Sequence, residues 1–223
     1  MPVLRTDIRG SIYIGNYAKA MGDHLLLTRD APDRQAKRFE KTLGGTPVRI
    51  RLTDCHLTSP FFAGNSSGIL ASRFVEDETL EALRNSSNSQ RVHTLETRFT
   101  AIGNLILAND RGALVSPVLS ASHLRVVGDA LNAEVEKGTL GRASYVGSLA
   151  TVNNHGGIVT PFALDEEIQR LEDLLGIEVH RGTINSGIPF IASGLVATDK
   201  GALAGKLTDG KELMAITQAL KVL

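Results

Sequence analysis

The run AIGNLILANDRGALVSP, residues 101–117, aligns without a gap on YVGSLATVNNHGGIVTP, residues 145–161. Gly103 falls on Gly147, Asn109 on Asn153, Gly112 on Gly156, Leu114 on Ile158 and Pro117 on Pro161, each pair 44 residues apart. A fixed period of roughly 20 to 50 residues marks an architecture of repeated supersecondary units. The same step from Gly112 reaches His24, Gly68, Gly156 and, one residue late, Gly201. Two residues beyond these five pivots stand Leu26, Leu70, Leu114, Ile158 and Leu203, so the apolar partner recurs even where the first copy has histidine.

Downstream of each pivot the apolar residues change to helical spacing. The sets are Ala36, Phe39 and Leu43; Leu80 and Leu83, with Ser87 third; Leu124, Val127 and Leu131; Ile168, Leu171 and Leu175; and Leu213, Ile216 and Leu220. Each predicts an amphipathic helix of about three turns. Asp77, Ser120 and Asp165 are candidate N-caps, and Gly44 and Gly176 stand where a left-handed residue ends a helix. Short β-like runs follow four of the helices: TPVRIRL, SQRVHTLE, AEVEKGTL and IEVHRGTI. The unit therefore reads strand, strand, helix.

The fifth helix is followed by only a few residues, so its unit lacks that strand. Val3, in PVLRTDIRG, lies 45 residues before Val48 and supplies it if the two ends of the chain meet. Closure removes the sheet edges that an open array must protect. The expected fold is an α/β ring, a pentein-type five-bladed αβ propeller, with residues 1–223 as a single domain. The glycines themselves read as turns needing positive φ or as points of close backbone approach.

Composition narrows the function. Lys and Arg total 24 and Asp and Glu total 24, giving zero formal charge, whereas a protein gripping nucleic acid by its phosphates is normally basic. One cysteine, Cys55, excludes an intramolecular disulfide and suits a reducing compartment. No apolar run approaches membrane-spanning length and MPVLRTDIRG has no secretory core, so the expectation is a cytoplasmic protein, with the Asn65 and Asn85 sequons read as turns. The six histidines show no paired ligand spacing, and no metal or cofactor is expected. GALAGKL, residues 201–207, is one residue short of a phosphate loop and has leucine where the hydroxyl belongs.

The ring pattern, with IGNYAKAMGDHLLL, FFAGNSSGIL, AIGNLILANDRGALVSP, VGSLATVNNHGGIVTP and GTINSGIPFIASGLVATDKGALAG in that order, resembles the translation initiation factor 6 family over essentially the whole chain. The resemblance implies a ribosome anti-association factor. Such a factor binds the large ribosomal subunit, chiefly through a ribosomal protein at the intersubunit face with secondary rRNA contact, and blocks joining of the small subunit. A role in large-subunit biogenesis, a monomeric state and an archaeal-type member are implied with it, the last because the chain stops at Leu223 without a eukaryotic tail. Pentein rings also carry guanidine-modifying hydrolases and transferases, which makes a Cys55 enzyme the rival reading. Those enzymes place their nucleophilic cysteine late in the chain, where this sequence has none. A lone cysteine in a strand is more simply a small buried hydrophobe.

The candidate binding face comes from the repeat. Nine residues before each pivot lies a turn, and the residue after it gives Asn16, Pro60, Asn104, Ser148 and Ser193, expected at one height around the axis. Tyr17, Phe61, Leu149 and Phe190 are the nearby apolar candidates, and the matching segments of the resembled family lie on its ribosome-facing side. The competing reading for Asn104 is a hydrogen bond to its own turn.

Overall fold

The computed structural model describes residues 3–52, 55–86 and 90–222. Strand β1 (Val3–Thr6) comes first. Three consecutive sheets then follow the chain: β2 (Ala18–Met21), β3 (His24–Thr28) and β4 (Thr46–Ile50); β5 (Phe62–Gly64), β6 (Gly68–Ser72) and β7 (Arg91–Leu95); β8 (Ile106–Ala108), β9 (Gly112–Val115) and β10 (Glu134–Lys137). The fourth sheet is β11 (Ala150–Val152), β12 (Gly156–Val159) and β13 (Glu178–Arg181), and the fifth joins β14 (Leu195–Ala197) and β15 (Ala202–Gly205) to β1. In each blade the inner strand is antiparallel to the central one and the outer strand parallel to it.

The termini close the ring. β1 lies parallel to β15 with Val3 opposite Ala202 and Thr6 opposite Gly205. The inner strands pack side by side in the order β2, β5, β8, β11, β14 and back to β2. These inner strands are the element that sequence reading missed. Each has only three or four residues, too few to display a period of two, so a unit that reads strand, strand, helix holds three strands.

The helices are α1 (Asp33–Leu43), α2 (Asp77–Ser86), α3 (Ala121–Leu131), α4 (Val146–Leu149), α5 (Asp165–Leu175), α6 (Ile191–Gly194) and α7 (Gly210–Ala219). The two short ones, α4 and α6, occupy the place taken in the first three units by 3-10 turns at Ile14–Asn16, Ser59–Phe61 and Ile102–Asn104. The long helices bury the residues their spacing predicted: Phe39, Leu83, Val127, Leu131, Leu171, Leu175, Ile216 and Leu220 are at most 1 % exposed. Ser87 lies outside the described residues. Ser120 caps α3 by accepting from His123 N, whereas Asp77 and Asp165 sit inside the first turn, where their charge meets the positive end of the helix dipole. Gly176 ends α5 at φ 61°, the left-handed cap expected of it. Asn65 occupies a turn, but Asn85 belongs to the last turn of α2 and not to a loop.

Each long helix packs back onto the preceding blade, which locks the ring at every joint. Leu171, Leu174 and Leu175 of α5 share a cluster with Leu107 and Leu114 of the blade before. A buried leucine contributes about 1.5 to 3 kcal/mol, so every helix stabilises two blades at once. The pivots follow from this packing. A Cβ on Gly68, Gly112 or Gly156 would lie 2.1, 2.4 or 1.9 Å from the carbonyl oxygen of Ala130, Leu174 or Ala219, at the end of the next helix. None of the three has positive φ, so close approach and not turn geometry requires glycine there.

Candidate functional site

Strand direction gives the ring two unlike ends. Every inner strand opposes its central strand, so the turn before the inner strand, the loop after the central strand and the loop after the outer strand all emerge on one side. This loop end carries the helical turns. The opposite end carries the tight turns that join inner to central strands.

At the tight-turn end the repeated asparagines act as latches. Asn65 Nδ2 donates to Asn109 O and Leu131 O at 3.0 and 2.9 Å, while its Oδ1 accepts from Ser67 N and Gly68 N. Asn109 reaches Leu175 O and Asn153 reaches Leu220 O, each at 2.9 Å, and Thr198 Oγ1 donates to Leu43 O at 2.7 Å. These bonds satisfy carbonyls at the C-terminal ends of the helices, which have no partner within the helix. The first joint differs. Met21 stands where the others have asparagine or, in the fifth unit, threonine, and buried His24 meets Ser86 Oγ at 3.0 Å and also Gln90, whose amide donates to Met21 O and Asn65 O. His24 therefore replaces glycine where the chain replaces the asparagine latch. Outside the latches Asn154 Nδ2 bridges the carboxylates of Asp110 and Asp199 at 2.8 and 2.9 Å.

The loop end is built differently. Its five helical turns interlock backbone to backbone: a Cβ on Gly147 would lie 2.2 Å from Gly103 O, one on Gly103 2.4 Å from Phe62 O, and one on Gly15 1.8 Å from Ala192 O. Around them the tight loops after the outer strands are pinned by the third residue of each long helix. Glu167 accepts from Thr139 Oγ1 at 2.7 Å and from the N–H groups of Gly141, Arg142 and Leu164 at 2.6, 3.1 and 3.0 Å. Glu212 does the same for Thr183 Oγ1 and the N–H groups of Ser186, Gly187 and Asp209. Burial alone would raise both carboxyls, but these donors outweigh it and hold both below the ordinary carboxylate value.

On this pinned frame stand two rings of exposed apolar side chains. One repeat position gives Tyr13, Tyr145 and Phe190, each immediately before its helical turn, and Leu57, two residues before Ser59–Phe61, with Ala101 in the fifth place. The loop after each central strand gives Phe74, Val118, Phe162 and Leu207, with Asp30 in the fifth place. Among the described residues ten large apolar side chains are exposed, and these eight share the loop end; the other two, Val126 and Met214, lie on the flanks of α3 and α7. Tyr145 and Phe190 stack with centroids 6.1 Å apart, and the Arg73 guanidinium lies 4.8 Å over the Phe74 ring. Apolar surface concentrated on one face of a soluble protein marks an interaction site.

The sequence-derived candidates all fall at this end, with unequal roles. Asn16, Pro60, Phe61 and Asn104 belong to the 3-10 turns, Ser148 and Leu149 to α4 and Ser193 to α6, while Tyr17 and Phe190 flank such turns. The side chains of Asn16 and Asn104 are half-buried and make no hydrogen bond among the described residues, whereas Ser193 Oγ bonds its own turn at Phe190 O. Leu149 is a correction: it is 5 % exposed and packs in the core cluster beneath α5, because the fourth residue of this helical turn points inward. Tyr17 and Phe61 are half-buried against neighbouring clusters. The residues missed are Tyr13, Leu57, Tyr145 and the Phe74 set. Phe74, Val118, Phe162 and Leu207 share one repeat position, a single residue beyond the Pro117 and Pro161 with which the opening alignment stops.

The inner strands enclose an axial cavity of about 90 Å³ lined by small and aliphatic residues, with Lys19 as its one charged side chain. It meets a second pocket of about 260 Å³ at the level of Ala20, Gly64, Ala108, Val152 and Ala197, and this pocket opens among the tight turns. Cys55 is remote from the channel. It is half-buried against the second blade's core, with Sγ 3.9 Å from Leu57 O, and His56 faces outward to Asp30 at 2.8 Å. Among the described residues no group of three His, Cys, Asp or Glu side chains is placed to hold a metal ion. No described helix is long and apolar enough to cross a membrane.

The fold is shared with a dimethylarginine dimethylaminohydrolase, which superposes with a TM-score of 0.51 at 12 % identity over 76 % of this chain and 68 % of that one. At such low identity the likeness bears on the fold alone, and the fold is the pentein ring. Similarity in sequence points elsewhere. Proteins named translation initiation factor 6 from Cenarchaeum symbiosum and Pyrococcus furiosus are 41 % and 37 % identical, covering 98 % and 99 % of this chain and 99 % of each relative. That from Natronomonas pharaonis is 39 % identical over 98 % of both chains. The family model for the eIF-6 family matches residues 3–219. The chain belongs to the eIF-6 family.

Proposed function

We propose that this protein is a translation initiation factor that binds the large ribosomal subunit through its loop end and, by occupying that surface, prevents the small subunit from joining. The observation that carries the reading is the placement of eight of the ten exposed large apolar side chains on that end, in two rings set on interlocked turns. A rigid face needs little reordering on binding, so its contacts are spent on affinity. Large aromatic side chains are the residues from which interface hot spots are drawn. With formal charge zero, the partner surface is chiefly protein, with rRNA contact secondary. The mechanism is occlusion by a cytoplasmic monomer, and a part in large-subunit maturation fits the same contact. The hydrolase alternative gains nothing from the axial cavity, whose described lining offers no thiol, histidine or carboxylate.

The test is co-sedimentation with isolated large subunits, followed by a subunit-joining assay. Wild-type protein is expected to pellet with large subunits and to shift joining toward free subunits, and Phe162→Ser with Tyr145→Ser to lose both effects while remaining folded. Undiminished binding by that double variant would overturn the choice of face. Failure of the wild type to bind would overturn the function.

A further inference from the structure

The axial cavity holds a charge that the proposed docking reaction does not use. Lys19 lies on β2, and the residues that share its level on the other inner strands are Ala63, Leu107, Thr151 and Val196, none of them titratable. Its ammonium has no hydrogen-bond or ion-pair partner among the described residues, and the residue, half-buried, lines the axial cavity. A buried cation with no counter-charge is costly. Burial accordingly lowers the Lys19 amine to about 8, a value at which it is still mostly protonated at neutral pH.

We propose that the axial cavity is a binding site for a small, singly charged oxyanion of the size of formate, acetate or bicarbonate, held at Lys19 Nζ. The space fits this class. A cavity of about 90 Å³ exceeds several-fold the roughly 10–15 Å³ that one water requires, so a body of a few heavy atoms can enter. The aliphatic walls favour a compact body and leave the ammonium as the only charge-assisted partner, with Ser59 and Thr151 also in the lining. The approach selects as well. The adjoining pocket is lined by Asp23, Asp110 and Asp199 against the single cation Lys200, a net negative set that opposes doubly charged anions more strongly than singly charged ones.

The site is tested on the whole protein, without ribosomes, by labelling lysine at Cε and following the Lys19 resonance by NMR while pH is varied. Three series at constant ionic strength contain sodium chloride, sodium formate or sodium phosphate. The expected result is an apparent pKa near 8 in chloride that moves up toward the ordinary lysine value of about 10.4 in saturating formate, with a smaller movement in phosphate. Thermal stabilisation by formate over chloride should accompany it in the wild type and vanish in Lys19→Met. A Lys19 resonance that responds identically to all three salts overturns the proposal, as does a response to phosphate with none to formate. Equal formate stabilisation of Lys19→Met overturns it too. Should that variant not fold, the wild-type titration decides alone.

Discussion

The two ends of the ring are made by the same five repeats and have opposite chemistry. At the tight-turn end the repeated residues are Asn65, Asn109, Asn153 and Thr198, and each satisfies a carbonyl of the neighbouring unit. At the loop end the repeated positions hold Phe74, Val118, Phe162 and Leu207, which stay exposed, with the Arg73 guanidinium lying over Phe74. Repetition therefore has two meanings in one chain. Where a repeated side chain finds its partner in the next blade, it builds the ring; where it does not, it stays on the surface.

This contrast predicts where substitutions act. The largest effect is expected at Leu149, in a loop-end turn but inside the core: Leu149→Asp places a carboxylate among Leu107, Val146 and Leu171 and should cost about 4 kcal/mol or more, read as a collapse of the urea midpoint. Next comes the latch. Asn153→Ala leaves Thr198 O and Leu220 O without their donor, along with His155 N and Gly156 N without their acceptor, and should cost about 2 to 3 kcal/mol in the same measurement. A loss below about 0.5 kcal/mol would mean that water replaces the latch and that the tight-turn end is not what holds the blades together.

Acid provides a third comparison. The Glu167 and Glu212 carboxyls lie below their ordinary value in the folded protein, so their stabilisation is present above about pH 4.3 and is lost as pH falls through the folded values. The wild type should lose melting temperature between about pH 5 and pH 3 more steeply than a variant carrying Glu167→Gln and Glu212→Gln, which has less of this linkage. Parallel curves would show that the loops do not depend on the ionised carboxylates. The smallest stability effect belongs to the exposed rings: Phe162→Ser, at a side chain 67 % exposed, should change stability by no more than about 0.5 kcal/mol.

The ring was legible because its signals are periodic. Helix faces such as Leu171 and Leu175 repeat within a helix, and pivots such as Gly112 and Gly156 repeat between blades, so closure by Val3 followed from counting. The inner strands were not legible, because three residues such as Ala150–Val152 carry no period of their own and are recognised only through pairing. The candidate face was half legible. Repeat spacing led to the loop end and to Asn104, but spacing does not say which way a side chain points within one helical turn, and Leu149 proved to face the core. The Phe162 position repeats as faithfully as the glycines. What identifies it is exposure, and exposure belongs to the folded chain.

The account rests on the claim that only the loop end meets the ribosome. The most direct measurement is affinity for isolated large subunits across a salt series, comparing wild type, the loop-end variant Tyr145→Ser with Phe162→Ser, and the opposite-end variant Asp110→Asn with Asp199→Asn, each first shown to be folded. The account predicts that the loop-end variant loses at least about 2 kcal/mol of binding, as hot-spot residues do. The opposite-end variant should bind as the wild type does, with a salt slope too shallow for about six phosphate contacts. Loss of binding in the opposite-end variant with retention in the loop-end one would contradict it.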